Sequence, residues 1–382
     1  YGDHRDLHLS LRRQRQMCIR DRYIGAMSGT SHDAVDVSLI SVTKKNIKLE
    51  AFDSIKIPKN LSDDISNTIT NNLISLSDLG VLNKKVGLIF AKAVSRIIDK
   101  NVIKNPQNIA VGISGQTIRH EPNIKNNFSM QIGDPNIISA QTGTTVISDF
   151  RNMHIAKGGE GAPLVPEFHA QLFRSKKVSR VIINIGGISN YTFIKSDGSY
   201  FGTDTGPGNA LMDAYCLNVL GLDFDRNGAI AQKGNILDKE LKKMLSKPFF
   251  KRKGIKSTGK ELFNFNFIPK NLLKQDKKDV LATLTELTAI SISNAIKKAG
   301  HDVKNIYVCG GGSNNKTLMK RLSYHLDTKI NSTTALGLNP QAIESMAFGW
   351  LAYRRINNIP SDVRLKNNRV IKALLGSVSK SI

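Results

Sequence analysis

Two stretches half a chain apart share one plan, and that plan limits the folds open to this sequence. Tyr23-Ile24-Gly25-Ala26-Met27 reads as a strand, Ser28-Gly29-Thr30-Ser31 as a tight turn, and residues 35–40 as a second, alternating strand. Residues 181–194 repeat the plan, with Gly186-Gly187 in a small polar turn between two apolar strands. A hairpin after the first strand excludes a P-loop, which needs Gly-Lys-Ser/Thr at a helix start. Glycines and hydroxyls in such turns let backbone N–H groups approach phosphate. Two of them suggest two related domains facing one another and able to close on a nucleotide. The plainer alternative for each is an ordinary hairpin with a polar turn.

The next stretch carries the clearest chemical signal. Gly202-Thr203-Asp204-Thr205-Gly206-Pro207-Gly208-Asn209-Ala210-Leu211-Met212-Asp213 follows the second hairpin and leads into residues 209–220, which read as a helix closed by Gly221. Glycine and proline hold the backbone while Asp204, at the helix mouth among small residues, stays free to accept a proton. The competing reading has Asp204 capping the helix or bonding a turn.

Length and composition bound the rest. A chain of 382 residues is long for one core, so two domains or a duplicated one are expected. There is no unbroken apolar run long enough for a bilayer and no charged-then-apolar leader, which makes a cytoplasmic protein without membrane contact the expectation. Cys18, Cys216 and Cys309 are too widely spaced for a disulfide framework or a zinc site. The net charge of +24 invites a nucleic-acid reading, but the lysines are scattered and aromatics make up only 6%, so bases find no stacking platform. An anionic substrate suits the same charge. Residues 1–22 are Arg-rich where the remainder is Lys-rich and show no period. They read as a non-native or disordered tail, similar to translated sequencing-adapter read-through, with the native start expected near Tyr23.

Several further segments are placed as α/β binding sites usually are, past the carboxyl ends of strands. The strand 109–113 empties into Ser114-Gly115-Gln116-Thr117-Ile118-Arg119-His120, where Gln116 and His120 are candidates for substrate contact. Asp149-Phe150-Arg151 follows the strand 144–147 and precedes the glycine-rich run 158–166, a loop that approaches a ligand or hinges two domains. Ser257-Thr258-Gly259-Lys260-Glu261 is a further polar loop. An amphipathic helix, 282–298, feeds the strand 305–309, which opens into Gly310-Gly311-Gly312, with room for something flat such as adenosine. Glu344 begins the helix 341–356, either as a favourable charge at its positive end or as a ligand contact. Asp33 and Asp36, beside the first turn, can hold a metal ion directly or through water.

In order along the chain, Ile24 to Ser31, Gly115 to His120, residues 149–166, Asn184 to Asn190, residues 204–209, Ser257 to Glu261, Cys309 to Gly312 and residues 344–352 resemble the anhydro-N-acetylmuramic acid kinase family, within the actin-like ATPase and sugar-kinase superfold. They cover nearly everything from Tyr23 to Gly376. The resemblance implies an α/β fold of two actin-like (ribonuclease H-like) domains around a central nucleotide and substrate cleft, 23–150 and 151–382, with the last helix and tail able to return to the first. It implies ATP and Mg²⁺ as cofactors and 1,6-anhydro-N-acetylmuramic acid as substrate. Water opens the anhydro bridge and O6 takes the phosphoryl group, giving N-acetylmuramic acid 6-phosphate and ADP in peptidoglycan recycling. A homodimer is implied as well.

By the same resemblance Asp204 is the base. Gly29, Thr30, Ser31, His32, Asp33, Ala34, Val35 and Asp36 line the nucleotide phosphates; on the residues' own reading, Gly186, Gly187, Gly310, Gly311 and Gly312 complete the nucleotide site and Asp33 is the metal contact. Ser28, Gln116, Arg151, Asn209 and Glu344 are the expected holders of the sugar or the water. Water must attack the anomeric carbon opposite the bridging oxygen, which calls for an ionised carboxylate on that face. Departures from the family pattern are His32 for an apolar residue, Ala34 for glycine, Ser114 for histidine, Lys260 for arginine, and the missing Thr-Gly-Ala at 366–369. Ala34 is expected to crowd the phosphate turn. The alternative from another class is a catalytically silent actin-like scaffold that binds ATP, against which the intact Asp204 to Asn209 stretch argues.

Overall fold

The computed structural model describes residues 21–43, 46–71, 73–122, 125–252, 254–300, 304–365, 367 and 369–380. The expectation of a tail over residues 1–20, Cys18 and the change at Lys366 lie outside the described residues. Arg22, assigned to that tail on sequence, is instead the first residue of a strand. It pairs with Ser41, and its guanidinium meets Glu50 at 2.9 Å.

Two sheets repeat one strand order. The first hairpin is β1 (Arg22–Ser28) with β2 (Ala34–Val42), extended antiparallel by β3 (Ile47–Lys56). Helices α1 (Lys59–Asn71) and α2 (Leu76–Lys100) lead to β4 (Ala110–Ile113), parallel to β1. A separate hairpin, β5 (Gln116–Glu121) and β6 (Phe128–Ile132), and α3 (Pro135–Thr142) precede β7 (Thr145–Ser148), parallel to β4. Helices α4 (Phe150–Ala156) and α5 (Pro166–Phe173) follow.

The second hairpin is β8 (Arg180–Ile185) with β9 (Ile188–Ile194), extended antiparallel by β10 (Tyr200–Pro207). Helices α6 (Ala210–Tyr215), α7 (Asp238–Leu245), α8 (Pro248–Lys251), α9 (Lys270–Leu273) and α10 (Lys277–Lys298) lead to β11 (Ile306–Cys309), parallel to β8. Then α11 (Lys316–Leu326) leads to β12 (Asn331–Ser332), parallel to β11. Both sheets therefore run third, second, first, fourth and fifth strand with the same sense at every pairing. The duplicated hairpins are the first two strands of a duplicated mixed sheet.

The chain then crosses back. Helix α12 (Ala342–Ile356) lies on the first sheet, and after the hairpin β13 (Ser361–Arg364) and β14 (Val370–Ala373) the strand β15 (Ser377–Lys380) pairs antiparallel with β7. Side chains alternate across β1, so Ile24 and Ala26 join the core beneath α2 while Tyr23 and Met27 join the core beneath α12. Gly25 and Gly112 allow α12 to come so near that a Cβ on either would overlap its backbone at Ser345 or Phe348. That contact brings Glu344 to the mouth of the first hairpin.

Two expectations change. Gln116 to His120, read as a loop beyond a strand, form most of β5. The helix read as amphipathic, α10, buries every residue from Val280 to Ala289. It has β10 on one side and α7 and α11 on others, and the hydroxyls of Thr283 and Thr285 are satisfied by carbonyls of the preceding turn. Cys216 and Cys309 are free and buried, and among the described residues no helix is long and apolar enough to cross a membrane.

Candidate active site

Asp204 lies on β10 itself, and the helix begins only at Ala210, so it neither stands at a helix mouth nor caps one. One edge of β10 pairs with β9, with a bulge between Asp204 and Gly206. The other edge is covered by residues 256–258. Asp204 N–H donates to the Lys256 carbonyl at 3.1 Å, Lys256 N–H donates to Thr203 Oγ1 at 2.7 Å, and Thr258 N–H donates to Asp204 Oδ2 at 3.0 Å. The side chain is 3% exposed. Burial pushes its carboxyl up to about 7, opposed by the Thr258 amide and the Arg151 charge and reinforced by Glu160 and Glu261. A carboxylate that changes protonation near neutrality is matched to proton transfer.

Arg151 stands in the first turn of α4, just beyond β7. Burial disfavours its charge and pushes its pKa down, opposed in part by Glu344, Asp204 and Glu261 around it. Its Nε is buried with no hydrogen-bond partner among the described residues. Glu344, from the first turn of α12, is pushed up by burial and held down by a hydrogen bond with Asn184 and by Arg151. Three residues singled out on sequence thus meet in one place, delivered by β10, by the end of β7 and by the crossing helix.

Other expected contacts are turned inward. Ser28 Oγ donates to Gln116 Oε1 at 2.7 Å, and Gln116, 1% exposed, donates from Nε2 to the Thr117 carbonyl at 3.2 Å. Ser114 ties the same corner by accepting from Ser28 N–H at 3.1 Å. Serines meet both ring nitrogens of His120, so its polar atoms are engaged within the protein. Asn209 is half-buried beside the open position of Gly311.

The two hairpin turns form a second group of polar residues. Ser31 Oγ donates to Asp33 Oδ1 at 2.5 Å, and His32 N–H closes the turn onto the Gly29 carbonyl at 3.1 Å. The His32 ring leaves the turn for Ser62 and Ser66 of α1, and burial with the Lys260 charge pushes it down to about 3. Ala34 is already a ladder residue, opposite Lys56. The Val35 side chain belongs to the core. In the other turn the Gly186 and Gly187 carbonyls accept from Asn209, Gly208 and Ala210 N–H at 2.8 to 3.0 Å, clamping the turn onto the start of α6.

Between the turns lie two groups that sequence reasoning did not select, Lys260 and Asp213, beside two that it did, Asp36 and Thr30. Lys260 is pushed down by burial and back up by Asp213 and Asp33. Asp213, on α6, is pushed up to about 7 by burial against the Lys260 charge, and Asp36 up to about 6 by burial against a Ser54 bond. The Thr30 hydroxyl is buried with no partner among the described residues. The only signal for Lys260 was the polar run it sits in and its departure from arginine. That run serves both ends of the cleft, with Thr258 on Asp204, Glu261 facing Arg151, and Lys260 between the turns. Gly310 and Gly312 answer to packing, since a Cβ on either would collide with Asn184 or Ile185 at the end of β8, which leaves Gly311 as the open position. Among the described residues no group of three His, Cys, Asp or Glu side chains is placed to hold a metal.

A family model described as anhydro-N-acetylmuramic acid kinase matches residues 21–380. A protein of that description from Gamma-proteobacterium EBAC31A08 is 53% identical over 359 residues, covering 94% of this chain and 98% of its own. Another, from Shewanella denitrificans, is 42% identical over 359 residues, covering 93% and 97%. Among solved structures, the activator of 2-hydroxyisocaproyl-CoA dehydratase from Clostridium difficile with bound ADPNP overlaps at a TM-score of 0.43 and 12% identity, covering 88% of this chain and 96% of that one. That overlap is too loose to bear on residues or ligands.

Proposed function

The chain belongs to the anhydro-N-acetylmuramic acid kinase family and is an ATP-using kinase of peptidoglycan recycling, and from that premise we propose that Asp204 is the base of its reaction. The substrate on this reading is 1,6-anhydro-N-acetylmuramic acid. Asp204 takes a proton from water as the water oxygen bonds to the anomeric carbon. The bond from that carbon to the bridging oxygen breaks, and O6 attacks the γ-phosphorus as its bond to the β-phosphate oxygen breaks. The products are N-acetylmuramic acid 6-phosphate and ADP.

The observation that carries this is the burial of Asp204 under the Thr258 amide, beside Arg151 and within one cleft with Glu344. Arg151 favours the ionised base and has a free Nε for the sugar's carboxylate. Glu344, held by Asn184, can accept from a sugar hydroxyl. Asn209 borders the nucleotide side, and Ser28 with Gln116 shapes the floor.

The two turns fit a triphosphate. The unpartnered Thr30 hydroxyl and the Lys260 ammonium are the donors such an anion needs, and both side chains lie against Gly187. Asp33 and Asp213 suit Mg²⁺, which is commonly held by one or two carboxylates with phosphates and water completing the shell. Bound there, it would neutralise phosphate charge. We read 23–150 and 151–382 as the two lobes, with α12 and β15 returned to the first. A homodimer follows from the family resemblance, and a cytoplasmic location without nucleic-acid or membrane contact from the composition; sedimentation tests the dimer.

The direct test incubates the protein with the anhydro sugar, ATP and Mg²⁺ and looks for the sugar phosphate. ADP without sugar phosphate, or equal rates from Asp204→Asn and wild type, would overturn the assignment.

A further inference from the structure

His120 has no part in the chemistry above, yet it is one of the best-held side chains in the cleft. It stands in β5 opposite Ser129 of β6 and is 4% exposed. Its Nδ1 meets Ser129 Oγ at 3.0 Å and its Nε2 meets Ser257 Oγ at 2.9 Å. Gln131 extends the chain, donating from Nε2 to Ser129 Oγ at 2.6 Å. Ser257 is fully buried between Lys256, which is tied to Thr203 and Asp204, and Thr258, whose N–H reaches Asp204 Oδ2. Gly161 closes the remaining edge of the ring, where an added Cβ would lie 3.4 Å from Cε1.

We infer that His120 is a positioning residue, which through Ser257 holds the Thr258 amide on Asp204 and so lets the β5–β6 hairpin of the first half set the base on the second sheet. The inference rests on the reading of Asp204 as the base. Burial, aided by the Arg151 charge, pushes the imidazole down to about 3, so it is neutral at working pH and offers one donor and one acceptor to two hydroxyls. The charged groups facing Asp204 are Arg151, Glu160 and Glu261, and Arg151 also faces His120. None of them belongs to the serine–histidine chain. Releasing Ser257 loosens residues 256–258 and withdraws the amide that favours the ionised base, so the base then needs a higher pH to give up its proton.

The test is the pH dependence of kcat/KM for the sugar in wild type, Ser257→Ala, His120→Ala and His120→Gln. In Ser257→Ala and His120→Ala the acidic limb should move up by roughly half to one pH unit. In His120→Gln, whose amide nitrogen can still donate to Ser257, it should move back towards wild type, with the sugar KM on the high-pH plateau unchanged. Ser257→Ala removes one hydroxyl from a small side chain, so it keeps the question open if His120→Ala fails to fold. An unmoved limb in Ser257→Ala with wild-type melting overturns the inference. Asp204→Asn measured alongside separates the two failures. If that variant works like wild type, the base assignment falls and the inference with it, and if it is inactive while the limb stays put, only the role of His120 falls.

Discussion

Thr30 and Gly187, at the tips of the two duplicated hairpins, stand so close that a Cβ added to Gly187 would overlap the Thr30 hydroxyl. Two turns in that relation can grip one molecule from both sides, and neither can do so alone. The site's demands on residue type follow from this spacing.

Gly187→Ala should therefore keep the turns apart. The expected result is a fall of about 10²-fold in kcat/KM for ATP, the scale of a roughly 1 Å misplacement, while thermal melting changes little. ATP kinetics at the wild-type level would remove this approach from the mechanism.

Asp204→Asn keeps the shape and the bond from Thr258 but cannot take a proton. A loss of about 10²–10⁴ in kcat is expected, the range of general-base contributions. The wild-type profile of kcat/KM against pH should rise through about 7, where the buried carboxyl titrates. A profile flat from pH 5 to 8 would point to another base.

The same substitution carries a stability signature. The folded protein holds the Asp204 proton up to about 7, whereas the ordinary value of 3.8 applies once the chain unfolds. Stability from this group is thus fully present below 3.8 and is lost as pH rises through 7. Asparagine does not titrate, so Asp204→Asn should gain melting temperature over wild type between pH 5 and pH 8, by at most about 3 kcal/mol across that window. Parallel melting curves across that range would contradict the buried protonated state.

Lys260 lies between Asp213, Asp33 and the Gly187 turn. Lys260→Met should weaken ATP by about 10- to 100-fold, the worth of a charge-assisted bond, and Lys260→Arg should restore most of it. Binding of ADP and ATP by calorimetry, with the sugar KM as control, checks this. Equal affinity in Lys260→Met would assign the lysine to packing alone.

The legible part of the site was local. Strand, small turn and strand could be read at 23–40 and 181–194 because alternation and glycine act over a few neighbours. Asp204, Arg151 and Glu344 stood out since each follows or opens an element where polar groups gather. Lys260 and Asp213 did not, because a lysine in a polar loop and an acid one helical turn inside α6 carry no local mark of a charge site. The serine partners of His120 were not legible either, because one is remote in sequence and the other is on another strand.

The amino-acid order by itself determined the two hairpins and the presence of one carboxylate among small residues, since short-range sterics decide those, while the parallel strands that complete each sheet come from far along the chain. Only the tertiary structure decided that this carboxylate is held near neutrality, that Gln116 and His120 turn inward, and that Lys260 stands between two turns. Desolvation and charge depend on which distant segments the fold brings alongside, and here α12 and the 256–261 segment close the cleft from far along the chain.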